Sequence, residues 1–72
     1  MTDPRDVAAA RLDALAAELE LAARHCRVAA GHYRDRDIPR ACAHMWAGYG
    51  HLRRAEHGLD ELAEHHADHS VA

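Results

Sequence analysis

Residues 31–44 read GHYRDRDIPRACAH, and within them an apolar rhythm breaks off and then restarts. Polar side chains cluster from Arg34 to Asp37, Pro39 has no backbone N–H to give a helix, and Ile38 before it is pushed towards extended geometry. This combination predicts a turn at about 35–38 with a helix on either side.

Upstream of the turn, Tyr33, Ala29, Cys26, Ala22, Leu19, Leu15, Leu12 and Ala8 fall at alternating spacings of four and three, the seam of a helix packed against another. Ala9, Ala16, Ala23 and Ala30 widen that seam into a band. The opening TDPRD offers Thr2 or Asp3 as N-cap, Pro4 at the first helical position and Asp6 in the first turn, where its charge suits the helix dipole. The first helix is therefore expected over about 4–34.

Downstream, Pro39 suits the opening of a helix, and the seam resumes as Ala41, Met45, Gly48, Leu52, Ala55, Leu59 and Leu62, with Cys42 and Tyr49 beside it. The second helix is expected over about 39–67. Gly48, Gly50 and Gly58 each cost roughly 0.5–1 kcal/mol against Ala inside a helix, which allows a kink near 48–50 or 58. Close packing against the first helix is the favoured reading of these glycines over a hinge.

The whole chain of 72 residues is thus read as one all-α domain, an antiparallel two-helix hairpin. Helices of about 30 residues run near 45 Å at ~1.5 Å per residue, and two such rods bury one stripe each. Hydrophobic residues make up 49% of the chain, but aromatics only 4%, and alanine supplies much of the remainder. Alanine favours helix yet buries little area, so a chain this short needs a partner for firm stability. The expectation is a homodimer forming a four-helix bundle, held by Leu12, Leu15, Leu19, Met45, Leu52, Leu59 and Leu62.

Charged residues at 29% and a formal net charge of −3 fit an ordered domain rather than a disordered tail. No apolar run approaches the ~20 residues of a membrane span, and the N-terminus lacks the basic-then-apolar order of a signal peptide. A cytoplasmic protein is expected, in which Cys26 and Cys42 are reduced thiols packed as small apolar groups.

The stretch AAGHYRDRDIPRACAHMWAG, residues 29–48, resembles the helix-turn-helix core of a single tetratricopeptide-type hairpin. Tyr33 precedes the turn, Asp37 and Ile38 open the second helix, and Ala41 stands at the small-residue contact. Arg36 holds the turn position where that family usually has Gly, and a single unit is present where such arrays need about three. The resemblance implies hairpin geometry and not peptide binding.

Eight histidines stand out: His25, His32, His44, His51, His57, His65, His66 and His69. His25 and His32 are seven apart on the first helix, His44 and His51 seven apart on the second, and pairing the helices sets His25 level between His44 and His51. Neutral imidazole is the commonest protein ligand for zinc, copper or nickel. A transition-metal site, zinc for example, would use His25, His44 and His51 with Cys26 or Glu18 completing the set. No HExxH and none of the usual Cys/His zinc spacings occur, so no cofactor is expected by default. His65 and His69, four apart, have a spacing that can chelate a transition metal adventitiously on any exposed helix, but a solvated polar helix end with His near the C-terminal dipole is the favoured reading. Protonating all eight would move the formal charge from −3 to +5, so acid near pH 5–6 is expected to weaken the dimer.

Charge is unevenly placed: residues 1–23 sum to −3, residues 24–54 to +5 and residues 55–72 to −5. Folding the hairpin joins both acidic ends and leaves the turn end basic. Two hairpins can then pair antiparallel, basic tip on acidic tails. Alternatively Arg34, Arg36, Arg40, Arg53 and Arg54, with Tyr33 and Trp46 nearby, would serve an anionic partner or nucleic acid. Overall acidity and the lack of Lys count against duplex binding.

Nucleophilic catalysis needs a Cys or Ser held by His in a pocket, whereas His25 and Cys26 are adjacent and point about 100° apart on a helix. The resulting expectation is a non-enzymatic interaction or regulatory module, homodimeric and binding a further protein partner. A His-rich metal-binding bundle stands second and a nucleic-acid accessory protein using the turn arginines third.

Overall fold

The computed structural model describes residues 3–68, which form α1 (Pro4–Arg34) and α2 (Ile38–Asp68) joined by a three-residue turn. The two helices run antiparallel against each other along their length as a hairpin. The turn is one residue shorter than the 35–38 expected from sequence, because Ile38, expected to be extended before Pro39, is the first residue of α2, and α2 passes through Gly48, Gly50 and Gly58 as one uninterrupted helix.

Each helix start has a local cause. The Asp3 carboxylate accepts from the Arg5 backbone N–H at 2.8 Å, Pro4 occupies the first position and Asp6 the first turn. The alternative cap, Thr2, lies outside the described residues. At α2 the Asp37 side chain accepts from the Arg40 N–H at 3.3 Å, and the Asp37 carbonyl accepts from the Ala41 N–H.

The turn is closed by the end of α1 itself. The Arg36 N–H donates to the Tyr33 carbonyl at 3.0 Å and the Asp37 N–H to the His32 carbonyl at 2.8 Å, the paired bonds of a Schellman ending. That ending needs a left-handed residue, and Arg36 supplies it at φ 62°. An arginine thus adopts the conformation for which helix endings usually recruit glycine.

The interface between the helices is a ladder of small side chains repeating every seven residues. Leu15, Ala22 and Ala29 are buried on α1, and Ala41, Gly48 and Ala55 on α2. Ala41 and Ala55 are 0% exposed. Small residues let the two backbones approach closely, but each buried methyl contributes only about 0.8 kcal/mol. Leu15, the one large buried side chain among the described residues, fills the space that Gly58 leaves open.

Close approach has a consequence for the wider apolar band. Only the stripe at the centre fits between the helices, so the stripe four residues further round each helix is left outside. Leu12, Leu19, Cys26 and Tyr33 on α1 and Ile38, Met45, Leu52 and Leu59 on α2 are all exposed. Of the leucines expected to hold a dimer together, Leu15 and the half-buried Leu62 belong instead to the seam within one hairpin. The rod measures 53 × 24 × 14 Å. Its radius of gyration of 16.6 Å exceeds the about 11 Å of a compact chain this long. No described helix is long and apolar enough to cross a membrane.

Candidate functional site: a file of imidazoles and an apolar face

Relative to the buried stripe, positions three residues on lie to one side of the seam and positions four residues on lie to the other. Because the helices are antiparallel, equivalent stripes of α1 and α2 emerge on the same side. The hairpin therefore has two unlike faces.

The first carries the histidines. Glu18, His25 and His32 from α1 interleave with His44 and His51 from α2 in the order Glu18, His51, His25, His44, His32 along the rod. The His51 Nδ1 lies 2.5 Å from a Glu18 carboxylate oxygen, and Arg54 approaches the other oxygen at 3.8 Å. His51 stacks on His25 with ring centroids 5.4 Å apart and an interplanar angle of 11°. The Nδ1 atoms of His25 and His44 are 3.0 Å apart, so that one ring's N–H donates to the other's lone pair. His44 then stacks on His32 at 5.4 Å. All four rings and Glu18 are half-buried.

The sequence reading set His25 level between His44 and His51, and the structure brings the three together. They stand in file, however, and among the described residues no three His, Cys, Asp or Glu side chains converge to hold a metal ion together. His51 is engaged by Glu18, and Cys26 stands on the far side of the seam, exposed, as the 100° step from His25 requires. The proposed set of His25, His44, His51 and Cys26 thus narrows to the His25 and His44 pair. His32 and Arg54, not named for this site from sequence, complete the file. His32 carried a signal, the same sevenfold spacing; Arg54 carried none. The pairing of His65 with His69 lies outside the described residues.

The second face is apolar. To the exposed row from Leu12 to Leu59 it adds Trp46 and Tyr49, which meet edge to face at 6.0 Å, with the Arg53 guanidinium 6.0 Å from the Tyr49 ring. Trp46 is 65% exposed, the most of any described large hydrophobic residue. The Tyr33 hydroxyl lies 3.6 Å from the Cys42 Sγ, and this hydrogen bond, with the charge of the thiolate, holds the phenol above the ordinary tyrosine range. Both cysteines are free thiols, but Cys26 is exposed and Cys42 half-buried, so neither is the packed core thiol expected from sequence.

The five arginines considered for an anionic partner do not share a patch. Arg34, Arg36 and Arg40 surround the turn, with Arg40 paired to Asp37 at 3.4 Å. Arg53 lies with the aromatic pair and Arg54 with Glu18, on opposite sides of the rod.

Comparison of the chain with protein-family models, with curated proteins and with solved structures finds no match in any of the three.

Proposed function

We propose that the chain is a non-enzymatic helical-hairpin interaction module that works as a homodimer, two hairpins closing their apolar faces into a four-helix bundle. The observation that carries this reading is the unbroken exposed row of Leu12, Leu19, Cys26 and Tyr33 beside Ile38, Met45, Leu52 and Leu59. Monomeric proteins rarely expose a contiguous apolar patch beyond a few hundred Å².

A second copy fits this face in size and in charge. A face 53 Å long and 24 Å wide outlines about 1,300 Å², above the ~800 Å² per partner of a standard interface. The rod is one helix layer thick, 14 Å, whereas stable domains bury an apolar face between two layers. The turn half carries +5 and the open end −3 and −5 from its two segments, so antiparallel hairpins place opposite charge together at both ends. A further protein partner would meet the outward surfaces of such a dimer, where Arg34, Arg36 and Arg40 crown each turn.

Native mass spectrometry and sedimentation of untagged protein test the reading. A dimer at micromolar concentration is expected, and L19E/L52E, which places charges within the apolar row, is expected to yield monomer or unfolded chain. A wild-type monomer at tens of micromolar would refute it whatever the variant does.

A further inference from the structure

The imidazole file lies on the side of the seam away from the apolar face, so dimerisation leaves it uncovered and unused. Within it, one pair is unlike the rest. His51 is held by Glu18, and His25 stacks on His51 as His44 stacks on His32, ring over ring. The His25 and His44 rings instead meet through their Nδ1 atoms, 3.0 Å apart, one from each helix.

We infer that His25 and His44 clamp a late first-row transition-metal ion, copper(II) most tightly and zinc(II) less so, between the two helices. Two imidazole nitrogens bound cis at about 2.0–2.1 Å and 90–109° stand about 2.8–3.4 Å apart, so the observed separation needs little rearrangement. The ion takes the place of the proton between the two Nδ1 atoms: the donor ring gives up its Nδ1 proton and takes one up at Nε2, so both rings bind as neutral imidazoles with no net proton release, and water fills the remaining positions. Nitrogen donors without carboxylate select this class of ion over magnesium or calcium, and the order of intrinsic affinities places copper(II) first. Neither nitrogen is sequestered, since both rings are only half-buried. The buried neighbours Ala22 and Gly48 fix the two backbones beside the pair.

The position of the pair distinguishes it from the other histidines. An ion bridging α1 and α2 binds the folded hairpin and not the open chain, so it raises stability by mass action. Ions held by side chains of α2 alone, such as His57 beside Glu61, add mass without tying the helices together.

The test adds copper(II) chloride, zinc(II) chloride or magnesium chloride, at one to ten equivalents, to untagged protein in which His57, His65, His66 and His69 are replaced by Ala. Thermal unfolding is followed by circular dichroism. A rise in Tm of about 5 °C or more with copper, a smaller rise with zinc and none with magnesium are expected. H25Q and H44Q, each alone, should abolish the rise. No rise with copper, or a rise that survives both substitutions, would overturn the assignment. Should a glutamine variant unfold, electron paramagnetic resonance of the copper(II) complex decides: two equatorial imidazole nitrogens support the clamp, and none or one overturns it.

Discussion

Gly48 on α2 abuts Ala22 on α1 so closely that a Cβ at position 48 would stand 3.3 Å from the Ala22 carbonyl oxygen and 3.3 Å from the His25 Cβ. Neither neighbour is the free end of a flexible side chain, so an added methyl moves backbone. Gly48→Ala is expected to destabilise by about 1 kcal/mol net, overpacking outweighing the gain in helix propensity. Urea unfolding followed by circular dichroism measures it, and the separation of His25 from His44 should change in the same variant.

Gly50 supplies the opposite case. A Cβ there meets nothing within 4 Å, and the residue lies on the exposed side of α2. Gly50→Ala should stabilise by about 0.5–1 kcal/mol through helix propensity alone. A loss of stability in the same urea experiment would show that this surface is covered.

The turn carries a cost that glycine would remove. Arg36 sits at φ 62°, a region that costs a side-chain-bearing residue roughly 1 kcal/mol. Arg36→Gly is expected to raise Tm by several degrees while leaving the Tyr33 and His32 carbonyl bonds in place. An unchanged or lowered Tm would argue that the arginine side chain has a role at the turn.

Asp3 gives the hairpin a defined acid response. Its side-chain bond from Arg5, and then the Arg5 backbone N–H, hold its carboxyl below the ordinary carboxylate range. A carboxylate whose folded pKa is depressed stabilises fully above its unfolded value, near 4, and loses that contribution as pH falls through the lower folded value. Asp3→Asn keeps an oxygen to cap the helix but cannot titrate. The wild type should be the more stable of the two at neutral pH, and melts from pH 6 down to pH 2 should show the gap closing.

Cys26 reports on the apolar face directly. It is exposed on the single hairpin and sits in the middle of the row that dimerisation would cover. In a Cys42→Ala background, alkylation of Cys26 by a maleimide should slow severalfold as protein concentration rises through the dimer constant. A rate independent of concentration would place any association elsewhere.

The hairpin was legible because each of its parts is a local rule. Asp3 and Pro4 start a helix whatever surrounds them, Pro39 and the polar run from Arg34 to Asp37 end one and open the next, and sevenfold spacing keeps side chains on one stripe. The histidine file followed from the same arithmetic, since His25, His32, His44 and His51 repeat at seven and an antiparallel turn fixes their levels. The Glu18 hold on His51 was less legible, because the partners stand 33 residues apart and sequence named Glu18 only as a ligand candidate.

What the sequence by itself determined, then, was two helices, their turn and the order of side chains along each stripe. Only the tertiary structure decided which stripe is inside. Leu12 and Leu15, or Leu19 and Ala22, are equally plausible seam positions by period, and leucine buries more area than alanine. Yet Ala22, Ala29, Ala41, Gly48 and Ala55 went in, while Leu12 and Leu19 stayed out. The physical reason is distance: small residues matched on both helices let the backbones close until the flanking stripes are squeezed to either side. The imidazoles on one flank then meet each other across the seam, and the leucines on the other are left facing outward.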